Sequence, residues 1–188
     1  SGEFLKVKAR ICVRGDLQDE HRETYAPVVR WTTIRSVLAF AIKHGMKTRQ
    51  VNFVNAFVQS KLPDDERIYV QLPKGFRHED GGEETVLRLN RSLYGMTRSP
   101  IHWFSALKTS LEELGFVSSK NDQCMFVNKK TGTIVLVYVD DCLCFGPNDA
   151  TLDALVKELQ AKYELGEEEI SKDAYAYLGI ELDMTGDY

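Results

Sequence analysis

The sequence has no run of about 18 consecutive apolar residues, the length a helix needs to cross a bilayer, so it offers no transmembrane helix and no membrane partner. It has no starting Met, and Ser1-Gly2-Glu3-Phe4-Leu5-Lys6 lacks the apolar core of a secretion signal. With Ser1-Gly2 read as a cloning remnant, the chain is expected to be a piece of something longer. Internal repeats and low-complexity tracts are missing. Cysteine is scarce: Cys12, Cys124, Cys142 and Cys144 include one C-x-C pair and no second pair that would complete a zinc site. Reduced, mostly buried thiols in an intracellular protein are the expectation. The four histidines, His21, His44, His78 and His102, are isolated and lack ligand spacing.

What is present fits one globular domain, or one domain with a small lobe. The 188 residues are 43% hydrophobic and 28% charged, enough to bury a sizeable core. A net charge of −4 argues against nucleic acid, but the average hides a gradient. Residues 1–50 carry ten Lys and Arg against five Asp and Glu, whereas residues 151–188 carry three against ten. A basic N-terminal third can face phosphates while an acidic end faces elsewhere, although ordinary surface charge explains the same numbers.

Residues 5–14 (LKVKARICVR) alternate apolar and cationic and predict a strand. Thr32 or Thr33 can cap a helix with Ile34, Val37, Leu38, Ala41 and Ile42 inward, stopped by Gly45. A strand turning into a short helix is expected over 49–58, strands over 67–72 and 86–89, and an exposed loop over 77–84. A helix from Pro100 places Trp103, Leu107, Leu111 and Leu114 on one face. Strands over 124–127 and 133–139 pair around residues 129–132. Asp149 can cap a helix burying Leu152, Leu155, Val156 and Leu159, and residues 177–182 make a last strand. Trp31 and Trp103 are expected in the core. Strands and helices mix without strict βαβ alternation, which indicates an α+β fold with a mostly antiparallel sheet packed on helices.

One stretch breaks the pattern. Val135 to Gly146 (VLVYVDDCLCFG) is apolar except for Asp140 and Asp141. Burying an ionised carboxylate costs several kcal/mol unless it is paired, hydrogen-bonded or bound to a cation. The doublet therefore belongs at or near a hairpin turn. It is either a solvated Asp-Asp turn or a pair of hard oxygen ligands for a divalent metal.

Seven segments in order carry a family resemblance: KARICVRG (8–15), YAPVVRWTTIR (25–35), QVNFVNAFVQSKL (50–62), IYVQLPKGF (68–76), LNRSLYGMTRSPIHWF (89–104), YVDD (138–141) and YLGIEL (177–182). Together they resemble the reverse transcriptase of copia-type LTR retrotransposons, and more distantly retroviral polymerases. The resemblance implies an RNA-directed DNA polymerase of right-hand architecture, with fingers at 1–50 and 59–93, a palm at 51–58 and 94–188, and neither thumb nor RNase H. It implies two Mg²⁺ (or Mn²⁺) ions, an RNA or DNA template with primer, dNTP as substrate, and a cytoplasmic virus-like particle as the setting.

The resemblance also assigns residues. Asp140, Asp141 and the position of Asn52 are catalytic and metal-binding, with Phe53 beside them in the metal set. Lys8, Arg10, Ala56, Phe57 and Tyr94 fall to the dNTP, with Phe57 the bulky residue under the sugar that discriminates against a 2′-hydroxyl. Gly95, Arg98, Tyr138, Leu178 and Gly179 fall to template and primer, with residues 177–182 resembling a hairpin that grips the primer end, where the residues alone read as a plain edge strand. One position departs from the pattern: the family has Asp where this sequence has Asn52. Asn keeps one carbonyl oxygen and removes a full charge from a site meant for dications. The expectation is an impaired polymerase; the alternative is a non-catalytic nucleic-acid-binding module derived from one. Asn55 does not rescue the charge if it continues the strand, since three residues on it points to the other face; a helical turn there would change that.

Overall fold

Residues 133–137 are buried without a break, so the strand they form must be covered on both faces. The computed structural model of the chain describes residues 9–18, 22–73, 75–76, 86–166, 174–178 and 180–183. In it this strand, β6 (Thr133–Tyr138), is the middle of a five-stranded antiparallel sheet. The order runs β1 (Lys47–Asn52), β7 (Asp141–Gly146), β6, β5 (Met125–Asn128), β4 (Val117–Ser118). The helices are α1 (Trp31–Lys43), the single turn α2 (Ala56–Gln59), α3 (Ser99–Glu113) and α4 (Asp149–Gln160). Two small antiparallel ribbons complete the described chain: β2 (Tyr69–Gln71) with β3 (Val86–Arg88), and β8 (Ala174–Tyr177) with β9 (Ile180–Asp183).

One apolar cluster joins these elements. Ile34, Val37 and Ala41 of α1, Trp103, Leu107 and Leu111 of α3, and Leu152, Leu155, Val156 and Leu159 of α4 all bury into it with the sheet. The face of the sheet bearing Arg49 and Val51 meets α4. There the fully buried Arg49 guanidinium reaches Asp149 at 2.6 Å and Asp153 at 3.2 Å. At the far end of β7, Gly146 gives Leu152 the room that a side chain would take.

The α+β expectation holds, with instructive local differences. Residues 9–14 do not form a strand of a sheet. They have one isolated parallel bridge, Cys12 to Tyr94, and Ile11 is exposed. Alternation specifies two faces, but a strand also needs a continuous partner, which a loop cannot supply. Trp31 and Ile42 lie on the exposed side of α1 rather than in the core, while Trp103 is buried as expected. Residues 177–182 are not one strand: the chain reverses between β8 and β9, with Leu178 left-handed at φ 52°. The cap of α4 is Asn148, whose side chain accepts from the Thr151 N–H, and not Asp149. The expected loop at 77–84 lies outside the described residues.

The start of α1 is capped from a distance. Neither Thr32 nor Thr33 is its N-cap. The Asp122 carboxylate instead accepts the Arg30 N–H at 3.0 Å and the Thr33 hydroxyl at 2.6 Å, and its other oxygen accepts the Cys124 N–H at 3.0 Å. Burial raises the Asp122 carboxyl, but the hydrogen bonds from Thr33, Arg30 and Cys124 outweigh it and hold it below its ordinary value. A folded-state value below the unfolded one stabilises the fold above the unfolded pKa and is lost as pH falls through the folded one. Asp122→Ala is therefore expected to cost about 1–3 kcal/mol at neutral pH. Its deficit relative to the parent should shrink as pH falls below the ordinary carboxyl range of about 4, where the unfolded chain takes up its proton before the folded one does. Urea unfolding of both proteins across that range measures this.

Candidate active site

The Asp doublet sits where strand pairing forces it. Tyr138 of β6 and Asn52 of β1 both pair with Asp141 of β7, from either side. Directly opposed residues of an antiparallel pair place their Cβ atoms about 4.5–5.5 Å apart on one face. Asn52, Asp141 and Tyr138 therefore share a face, and so does Gln50, two residues before Asn52. The Gln50 amide donates to Asp141 Oδ1 at 3.2 Å. Val139 and Asp140 form the two-residue turn between β6 and β7, and the Asp140 carbonyl accepts the Phe53 N–H at 3.0 Å. The end of β1 is fixed further by Val54 N–H to the Glu164 carbonyl at 3.0 Å and Gly166 N–H to the Asn52 carbonyl at 3.3 Å.

Asp141 is half-buried. Burial pushes its carboxyl above the ordinary value; the Gln50 hydrogen bond pulls the other way, and neighbouring Asp140 adds to the rise. Among the described residues its hydrogen-bond donor is the neutral Gln50 amide, so a cation would supply the charge that the carboxylate lacks there. Among the described residues no group of three or more His, Cys, Asp or Glu gathers to hold a metal. The tip offers two carboxylates and the Asn52 amide, all oxygen donors of the hard kind that Mg²⁺ and Mn²⁺ take. This set fits a divalent ion but is one charge poorer than three carboxylates. The buried thiols offer no alternative: desolvation pushes Cys124 and Cys144 up to about 12, and raises Cys142 as well.

The residues assigned to the nucleotide form a stack. The Arg10 guanidinium lies 4.4 Å from the centre of the Tyr94 ring, and Tyr94 lies 5.0 Å from Phe57, tilted by 55°. Phe57 projects from α2, over the buried Ala56, and Asn55 before it adopts a left-handed conformation (φ 50°) that swings the chain out of β1. Asn55 is thus the N-cap residue of α2 and not a strand position. The Tyr94 carbonyl accepts the Val13 N–H at 2.8 Å, and the two segments run so close that a Cβ on Gly15 would overlap the Gly95 carbonyl and a Cβ on Gly95 (φ 87°) the Val13 carbonyl. Only glycine permits that approach. Arg14, the other cation of that segment within the described residues, is committed to Asp16 at 2.8 Å. Lys6, Lys8, His21, His78 and Gly179 lie outside the described residues.

Of the positions assigned to template and primer, Gly95 is exposed, and Tyr138 and Leu178 are half-buried. Arg98 is engaged inside the protein: it pairs with the buried Glu66 carboxylate, and its Nε donates to the Glu23 carbonyl at 3.1 Å. His102, with no ligand spacing in the sequence, meets the same carboxylate at 3.2 Å and Ser92 Oγ at 2.9 Å. Sequence reading overlooked Glu66: Asp64-Asp65-Glu66 reads as a charged turn, and nothing local marks one of its carboxylates as buried. It also overlooked Gln50, although period-2 alternation from Asn52 pointed to it.

These residues can be set beside known proteins. A family model described as reverse transcriptase (RNA-dependent DNA polymerase) matches residues 3–187. The Retrovirus-related Pol polyprotein from transposon RE2 of Arabidopsis thaliana is 35% identical over 96% of this chain, and that from transposon RE1 of the same plant is 34% identical over 96%. The chain spans 12% of the length of either relative. Apo telomerase from Candida tropicalis, truncated from its C-terminal domain, superposes on 84% of this chain and 39% of its own with a TM-score of 0.51 at 9% identity, a likeness of fold alone. A family match over nearly the whole length, joined to relatives this similar, settles the assignment: the chain belongs to the reverse transcriptase (RNA-dependent DNA polymerase) family, of the copia-type retrotransposon kind.

Proposed function

We propose that the chain is the fingers-and-palm core of an RNA-directed DNA polymerase that joins dNTPs to a primer on an RNA or DNA template, with Asn52 lowering its rate. The observation that carries this reading is the pairing of Asn52 with Asp141 across β1 and β7, with Asp140 tied to Phe53 beside them. In this reading the palm takes the five-stranded sheet, α3, α4 and the β8–β9 ribbon, and the fingers take residues 9–46 and 59–93. We assign all of β1, from Lys47 on, to the palm with the rest of its sheet, where residue 51 marks the start suggested by the resemblance.

Asp140 and Asp141, with the Asn52 amide and the backbone at Phe53, would hold two Mg²⁺ or Mn²⁺ ions. Bound there, such ions supply positive charge to the attacking and leaving oxygens of an in-line phosphoryl transfer. The chain's own residues do the rest. Arg10 offsets triphosphate charge, Tyr94 and Phe57 give the nucleotide a flat apolar wall, and Phe57 rejects a 2′-hydroxyl by size. Gly95, Tyr138 and Leu178 border the template and primer. Arg98, spoken for by Glu66, is left out. The setting proposed is a cytoplasmic virus-like particle, as suits a retrotransposon Pol relative.

A titration with Mn²⁺, read by its relaxation of water protons, tests the site. The parent chain should bind Mn²⁺, and Asp140→Asn/Asp141→Asn should weaken that binding at least about tenfold. Equal binding by both overturns the reading. Asn52 favours a second reading, a nucleic-acid-binding module without catalysis. It predicts salt-dependent binding of template–primer and no extension even when the third carboxylate is restored.

A further inference from the structure

The turn that presents the doublet is strained. Val139, its first residue, has φ 56°, while Asp140 stays on the ordinary side. A hairpin turn left-handed only at its first position is the kind that selects glycine there. A β-branched residue in that conformation persists only where its surroundings over-determine it.

The surroundings that do so are specific. The Trp103 indole N–H donates to the Val139 carbonyl at 2.7 Å. Trp103 is 1% exposed, and its ring meets Phe53 edge-on at 4.9 Å and Tyr163 at 5.3 Å. Phe53 in turn meets Tyr163 at 5.4 Å, and its N–H holds the Asp140 carbonyl. The Tyr163 hydroxyl is anchored on α3 through the Ala106 carbonyl at 3.0 Å and Ser110 Oγ at 2.7 Å. Both carbonyls of the turn are therefore held by residues of one three-ring cluster. Beside the turn, a cavity of about 70 Å³ lined by Pro27, Val28, Pro100, Trp103 and Val139 leaves it short of packing, so the hydrogen bond does what contact does not.

We propose that Trp103 is a positioning residue of the active site: its indole N–H holds Val139 left-handed and so aims the Asp140 and Asp141 carboxylates at their cation. This rests on the metal-binding reading above and adds to it a residue that otherwise passes for core. Sub-ångström placement of such ligands depends on the residues that lock them.

The test compares the parent chain with Trp103→Phe and with Trp103→Phe/Val139→Gly, by Mn²⁺ titration and by the ¹³Cα and ¹³Cβ shifts of Val139. Trp103→Phe should move the Val139 shifts away from left-handed values and weaken Mn²⁺ binding about fivefold or more. Glycine adopts the left-handed conformation unaided, so the double variant should return to within about twofold of the parent. A ring that only filled space would not be rescued by a change in the turn. Should Trp103→Phe fail to fold, 3-benzothienylalanine at position 103 replaces the N–H by sulfur and keeps the shape; the same shifts and affinities are expected. Unchanged Val139 shifts, or a loss of affinity that Val139→Gly leaves in place, overturn the positioning role alone. A parent chain that binds no Mn²⁺ overturns the metal-binding reading and the positioning role with it.

Discussion

Asn52→Asp should raise Mg²⁺-dependent primer extension on an RNA template by about a thousandfold, and should make the metal-free protein less stable. The two effects have one cause. Asn52 stands directly opposite Asp141, whose carboxyl is already raised by burial and by Asp140. A third carboxylate adds a full negative charge to a site where the Gln50 amide donates to Asp141. Like charges opposed across a strand pair repel, so the metal-free variant should lose about 1 kcal/mol. A divalent ion reverses that sign, because it binds the folded site and not the unfolded chain. In a water-poor site the added charge is worth several kcal/mol of transition-state stabilisation, and each 1.36 kcal/mol is about tenfold in rate. Extension assays on the parent and variant measure the first effect, and thermal unfolding with and without Mg²⁺ measures the second. A variant no more active than the parent, yet still binding template–primer, would leave the chain as a binding module. A variant stabilised without metal would mean that residue 52 does not share the field of the doublet.

Much of this was legible because it depends on alternation and order. Paired carboxylates in an apolar run demanded a hairpin tip, and β6 and β7 supply it, with Asp140 in the turn and Asp141 one step beyond. The helical stripes of α3 and α4 were read from period 3.6 and bury as read, except Leu114, which is half-buried at the C-cap of α3. What escaped is what long-range geometry decides. No pattern in residues 9–14 says that their partner is a loop and that Val13 and Gly15 press against the Gly95 backbone. A helix cap from 89 residues away, Asp122 to Thr33, has no local signature. Trp103 was legible as core from its helical position. Its hydrogen bond to Val139 was not, because nothing in the sequence says that a valine takes a conformation that glycine favours.

Glu66→Ala should be among the most destabilising single changes in the molecule, costing about 3–5 kcal/mol. The Glu66 side chain is 6% exposed, and it meets Arg98 (15% exposed) and His102 (4%), with Arg22 at 3.5 Å from the outside. Truncation leaves a guanidinium and an imidazole facing an empty, dry space, and removing one partner of a buried pair costs more than the pair itself contributes. For a chain of this size about 2–4 °C of Tm follows each kcal/mol, so unfolding should come about 10 °C lower. Glu66→Gln keeps the shape and loses the charge, and should cost about half as much. The double variant Glu66→Gln/Arg98→Met should fall well short of the sum of its parts, since each single change strands the other's partner. The same network decides what Arg98 is for. An arginine on template phosphate would contribute nearly one unit to the slope of log affinity against log salt. Arg98→Met should leave that slope as it is and lower Tm instead, because its charge is already spent on Glu66. A lower slope at unchanged Tm would return Arg98 to the template and make Glu66 its holder rather than its destination.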